Sequence, residues 1–152
     1  MSDPSGFLVD TSIVSAFAPG RPAVAEQTAR WMIAQGEAER LHLSVITVAE
    51  IERGCRKLAR AGGTARAQAL SAWLRELIDL YGDRLLPIDA ATARIAGAIE
   101  DQAIANGVHP GFADVLIAAT ARAHALSVLT ANISHFRPLG VSCFNPVDGL
   151  PD

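Results

Sequence analysis

The sequence is short of lysine: Lys57 is the only one among thirteen basic residues, and the rest are arginine. Arginine's planar fork suits bidentate phosphate contacts, although an arginine-biased, alanine-rich chain equally reflects a GC-rich genome. Cysteine is also scarce. Cys55 and Cys143 stand alone, without a CxxC pair, which excludes a disulfide-stapled scaffold and a thiolate zinc site. A reduced, cytoplasmic compartment is the expectation. The histidines form no HxxxH pair, so zinc is not expected from them either. No Gly-rich run ends in Lys-Ser or Lys-Thr, which excludes a P-loop nucleotide site. The most apolar stretch, 115–129, is broken by Arg122 and His124, so no membrane span is expected. The opening residues 1–6 lack the positive charge that begins a secretory leader.

What remains is a chain of 152 residues, half of them hydrophobic, enough for one domain over 1–152 with a real core. The net charge of −3 argues at first against a nucleic-acid partner. The charge is uneven, however. Residues 1–75 carry nine basic against seven acidic side chains (+2), and residues 76–152 carry four against nine (−5).

Short apolar runs alternate with longer helical patterns, which predicts an α/β domain with a small, mainly parallel central sheet flanked by helices. Strands are expected at 7–9, 41–45, 126–130 and 141–144, and helices at about 22–36, 47–60, 64–81, 90–105 and 112–125. Turns fall at Gly62-Gly63, Asn106-Gly107 and Pro110-Gly111.

Four polar residues stand at the junctions of these elements. Asp10 ends the first strand, Glu50 lies in the first turn of the helix after the second, Asp114 opens the alanine-rich helix, and Asn132 follows the strand at 126–130. Ligands of open α/β sheets bind beyond the carboxyl ends of the strands, where such residues gather. Each also has a structural reading. Asp10 can cap a helix, Thr47 and Glu50 fit a capping box, Asp114 suits a helix N-terminus, and Asn132 is an ordinary turn residue. On a helical wheel Val48, Ile51, Cys55 and Leu58 form an apolar stripe, and Glu50 falls on its flank, where a residue facing a cleft would sit.

Three carboxylates in one crevice repel each other and raise their own pKa values; a divalent cation removes the conflict. Oxygen ligands without sulfur point to Mg²⁺ or Mn²⁺, of which Mg²⁺ takes one or two carboxylates and keeps several waters. The chemistry expected of that site is phosphodiester hydrolysis.

Four segments, in order, resemble the motifs of PIN domains. They are Phe7-Leu8-Val9-Asp10-Thr11-Ser12, then 44–54 with Ser44, Thr47, Glu50 and Gly54, then 114–121 from Asp114, and 129–136 with Thr130 and Asn132. The ending at 140–146 is similar to the tail of VapC- and FitB-like members. The resemblance implies a PIN-like fold and a Mg²⁺- or Mn²⁺-dependent endoribonuclease. It also implies the toxin of a toxin–antitoxin pair, usually a homodimer neutralised by a small antitoxin. By motif, Asp10 and Asp114 would be the principal metal ligands, Glu50 would complete the acidic cluster and help place the attacking water, and Thr11, Ser12, Thr47 and Thr130 would support them. Many members carry Asp where this chain has Asn132, whose amide is expected to orient a water or a ligand rather than bind metal strongly.

Arg53, Arg56, Lys57 and Arg60 follow one another at helical spacing. They form either a basic surface tracking RNA phosphates or a solvated face in which Glu52 pairs with Arg56. His135-Phe136 is expected to serve local packing, and Trp31 and Trp73 to anchor a core or an interface. Two alternatives stand beside the ribonuclease: a non-catalytic PIN-like interaction module, and a nuclease acting on DNA. A phosphoacceptor receiver domain is disfavoured, since the chain has no lysine after Lys57.

Overall fold

The computed structural model describes residues 6–149, so the reading of the first six residues as no leader falls, Gly6 apart, outside the described residues. Strands β1 (Phe7–Val9), β2 (Leu41–Ser44), β3 (Leu85–Leu86), β4 (Ser127–Leu129) and β5 (Cys143–Phe144) form one sheet in the order β3-β2-β1-β4-β5. All four neighbouring pairs are parallel. The helices are α1 (Thr11–Val14), α2 (Glu26–Glu37), α3 (Val45–Arg60), α4 (Thr64–Tyr81), α5 (Ala90–Ala105), α6 (Phe112–Ala123) and α7 (Ile133–Phe136).

Helices cover both faces, which is why central β1 reads as a continuous apolar run. Successive side chains of a strand point to opposite faces. Leu8 and Val128 enter a cluster with Ile99, Val115, Ile117 and Phe136, while Phe7, Val9 and Leu129 enter the other with Leu43, Ile51, Cys55 and Leu74. Alanines at 96, 103, 118, 119 and 121 let α5 and α6 approach closely within the first cluster. In the second, Trp31 meets the Phe7 ring edge-on at 5.3 Å, and Trp73 packs against the same group.

The chain leaves central β1 for β2 on one side and reaches β4 on the other only later. The strand order reverses there, and it is beyond the carboxyl ends of strands at such a point that open α/β sheets bind ligands. The entry to β1 is tight. A Cβ on Gly6, whose φ is +150°, would lie 2.6 Å from the Arg40 carbonyl oxygen, and that oxygen accepts the Phe7 N–H at 2.8 Å. Gly62, at φ +90°, makes the turn from α3 to α4.

The main departures from expectation lie at element ends. Helix α2 starts at Glu26, so Val24 and Ala25 precede it; Pro19, Gly20 and Pro22 hold the preceding segment out of the helix. Strand β2 stops at Ser44, whose hydroxyl caps α3 by accepting Ile46 N–H at 3.1 Å. Thr47 is therefore inside α3, and the Thr47–Glu50 capping box does not form. Strand β3 and the four-residue helices α1 and α7 are too short to carry a periodic signal.

Candidate active site

Asp10 follows β1 directly, and its N–H bonds the Leu129 carbonyl of β4 at 2.8 Å, which fixes it at the switch point. Its side chain is 4% exposed and makes no capping bond to α1. Its Oδ2 accepts the Ser12 hydroxyl at 2.7 Å and the Thr130 hydroxyl at 2.9 Å. Ser12 also accepts Ala131 N–H at 3.0 Å, and Thr130 accepts Asn132 N–H at 2.9 Å. The two hydroxyls thus tie the β1 and β4 ends to one carboxylate oxygen. Among the described residues no hydrogen bond reaches the other, Oδ1.

A second network adjoins the first. The Thr11 hydroxyl lies 2.7 Å from Glu50 Oε1 and 2.9 Å from Thr47 Oγ1; its one hydrogen favours the carboxylate, the stronger acceptor. Because α3 begins at Val45, Glu50 stands in its second turn. It is turned to Thr11 and is half-buried.

Asp114 lies in the first turn of α6. Burial pushes its carboxyl above the ordinary carboxylate range, the Asp10 charge pushes it further, and His135 pulls it part of the way back. His135 Nδ1 sits 3.3 Å from Asp114 Oδ2. Sequence reasoning assigned His135 to packing, whereas the packing residue is Phe136, fully buried in the core. Helix α7 turns about 100° between these neighbours, leaving His135 exposed and Phe136 buried, and the four-residue helix left no pattern from which to see it. Asn132 precedes α7, is exposed, and makes no side-chain cap bond.

Asp10, Ser12, Thr130 and the Asn132 backbone therefore share one network, Thr11, Thr47 and Glu50 another, and Asp114 joins through its charge and His135. Of the basic run on α3, Arg56 pairs with Glu52 at 2.9 Å; Arg53, Lys57 and Arg60 are exposed. Among the described residues no three carboxylate, thiol or imidazole groups converge as ligands. Two carboxylates with water still match what a hard divalent cation takes. The open Oδ1 of Asp10 and the mutual repulsion of Asp10 and Asp114 fit a cation held between those two residues.

The raised Asp114 pKa carries a sign. A carboxyl whose folded pKa exceeds its unfolded value contributes stability below the unfolded pKa and loses it as pH rises through the folded one. In EDTA, Asp114→Asn is thus expected to gain in melting temperature over the parent as pH rises through and just above the carboxylate range. A difference independent of pH would mean that the Asp114 carboxyl is neither desolvated nor repelled in the folded protein.

Acidic residues at the switch point of a parallel sheet flanked by helices define the chain as an α/β domain with a polar site beyond the strand ends. The PIN domain family model matches residues 7–138, and the chain belongs to that family. It is 33% identical over 139 residues to Toxin FitB of Neisseria gonorrhoeae, covering 91% of this chain and 96% of that protein. It is 34% identical over 139 residues to VapC ribonuclease Y4jK of Sinorhizobium fredii, with the same coverage of 91% and 96%. The crystal structure of FitAcB from Neisseria gonorrhoeae superposes with a TM-score of 0.79 at 33% identity, covering 92% of this chain and 97% of that one. The expected PIN-like fold and VapC/FitB-like kinship are both borne out.

Proposed function

We propose that this chain is one PIN domain that hydrolyses RNA phosphodiester bonds with Mg²⁺ or Mn²⁺, and that it is the toxin of a toxin–antitoxin pair. The observation that carries the reading is the buried Asp10, with one oxygen fixed by two hydroxyls and one left open, beside a second acid that it repels. Such an arrangement costs stability without a cation. The relatives named toxin and ribonuclease support the same reading.

Asp10 and Asp114 would hold the ion, which supplies positive charge against the scissile phosphate and makes water a better nucleophile. Ser12 and Thr130 keep Asp10 in one rotamer, and Thr11 holds Glu50 where it can place water at the phosphate. Asn132 offers an exposed amide to a water or a substrate oxygen. Hydrolysis breaks one P–O ester bond, with water adding to phosphorus and the departing ribose oxygen taking a proton.

A small antitoxin is the natural partner, since similar structures are complexes with antitoxins. A groove of about 600 Å³ between α2 and α4 is lined by Met32, Ile33, Trp73, Leu77 and Leu80, with Ile33 61% and Leu80 69% exposed. Exposed apolar surface of this kind favours a protein partner. We also expect a homodimer acting in the cytoplasm.

Substrate class is tested by offering equal amounts of single-stranded RNA, duplex RNA and single-stranded DNA to antitoxin-free protein with Mg²⁺ or Mn²⁺. Single-stranded RNA should be cut fastest. Preferential DNA cleavage would replace RNA by DNA as the substrate, and no cleavage of any by folded protein would favour the interaction module.

A further inference from the structure

A cleft of about 520 Å³ opens off the acidic site and shares Thr11 and Glu50 with it. Its walls come from the 18–22 segment, α3 and the start of α4. Two guanidinium groups from separate elements line it, Arg21 and Arg66, and both residues are exposed. Among the described residues neither is paired with a carboxylate, whereas Arg30 and Arg56 each have a glutamate at i−4. The rest of the lining is largely aliphatic, with Leu58 and Leu70, and contains no aromatic ring. Gly54 lies in the α3 wall, and a Cβ there would meet nothing within 4 Å. Helix packing therefore does not require glycine, which costs roughly 0.5–1 kcal/mol against alanine in a helix interior. What glycine does is leave the cleft wall low.

The geometry points to this cleft as the seat of the RNA segment next to the scissile phosphate, with Arg21 and Arg66 holding its backbone phosphates. This rests on the nuclease reading. A chain of net charge −3 with acids at its centre repels a polyanion; two unpaired arginines at the edge of that centre supply local attraction. The volume lies within the range of pockets that take one small molecule. It accommodates about one nucleotide and not a duplex, so the strand entering it is single. The walls carry no aromatic ring or amide, and of their hydroxyl and carboxylate groups, Thr11, Ser15 and Glu50, the first and last already bond each other, so binding here is mainly to phosphate. The basic run on α3 is a different surface: Arg56 lines a separate groove with Glu52, Cys55 and Ala59.

The test is binding of a short fluorescent single-stranded RNA to full-length protein carrying Asp10→Asn, in Mg²⁺, across a salt series. Adding Arg21→Gln and Arg66→Gln together should raise Kd about 10-fold. It should also lower the slope of log affinity against log salt by roughly 1.4, about 0.7 for each lost phosphate contact. Arg30→Gln, on the exposed face of α2, should change neither. Unchanged affinity and slope in the double variant would overturn the inference, as would failure of the parent to bind RNA. An antitoxin that loses affinity for the double variant while RNA does not would assign the cleft to protein instead. Cleavage by the wild-type protein is scored separately. RNA binding that needs both arginines without any cleavage would sink the nuclease reading and keep the cleft, and cleavage with an unaltered KM when Arg21→Gln and Arg66→Gln are placed in the wild-type protein would do the reverse.

Discussion

Asp10→Asn is expected to lower RNA cleavage by about 10³-fold or more, the scale of losing a residue on which the whole reacting unit depends, and to leave the protein folded. Two features separate charge from structure at this position. The amide carbonyl keeps an acceptor for the Ser12 and Thr130 hydroxyls, which now bond Asp10 Oδ2 at 2.7 and 2.9 Å. The loss of the negative charge removes the repulsion that adds to burial in raising the Asp114 pKa. Metal-free Asp10→Asn should therefore melt at the parent temperature or above it, while initial rates on RNA collapse. Loss of activity accompanied by an early melt would mean that Asp10 is a structural acid, and retained activity would remove it from the site.

Phe136→Ala has the largest expected effect on stability. The ring is fully buried against the cluster that includes Leu8, Val128 and Val115, and truncating such a side chain costs about 3–5 kcal/mol. Each kcal/mol lowers Tm by about 2–4 °C in a domain of this size, so a fall on the order of 10 °C is expected in a calorimetric or circular-dichroism melt. The consequence reaches the site. Phe136 is the anchor of α7, whose preceding residue is Asn132 and whose His135 faces Asp114 at 3.3 Å. Activity measured well below the melt should therefore fall too, by less than for Asp10→Asn. A melt within about 1 °C of the parent would show that the cavity collapses, or that the ring does not hold the core.

The parallel sheet was legible because β1 and β4 present apolar residues to both faces and run into Asp10 and Thr130, while β2 alternates Leu41 and Leu43 with His42 and ends on Ser44. The long helices α4 and α5 were legible from periodicity and from the glycines at their ends. The start of α3 was not. Ser44 and Thr47 are both competent caps, and only the point where β2 stops pairing with β3 decides between them; β3 is two residues long. That choice moved Glu50 from the first turn to the second and freed it for Thr11. Arg21 and Arg66 escaped notice for a related reason: they are far apart in sequence, and only the placing of the 18–22 segment and of α4 beside α3 brings them to one cleft. His135 was hidden by its buried neighbour, since a four-residue helix gives no stripe to read.

The most direct test of the central claim, that Asp10 and Asp114 hold one cation for hydrolysis, compares the wild-type protein with Asp114→Asn on one RNA pool, each in Mg²⁺ and in EDTA. The account predicts cleavage only by the wild type in Mg²⁺, restored after EDTA when metal is returned, with both proteins folded. Cleavage by Asp114→Asn at the wild-type rate, or by the wild type in EDTA as fast as in Mg²⁺, would contradict it.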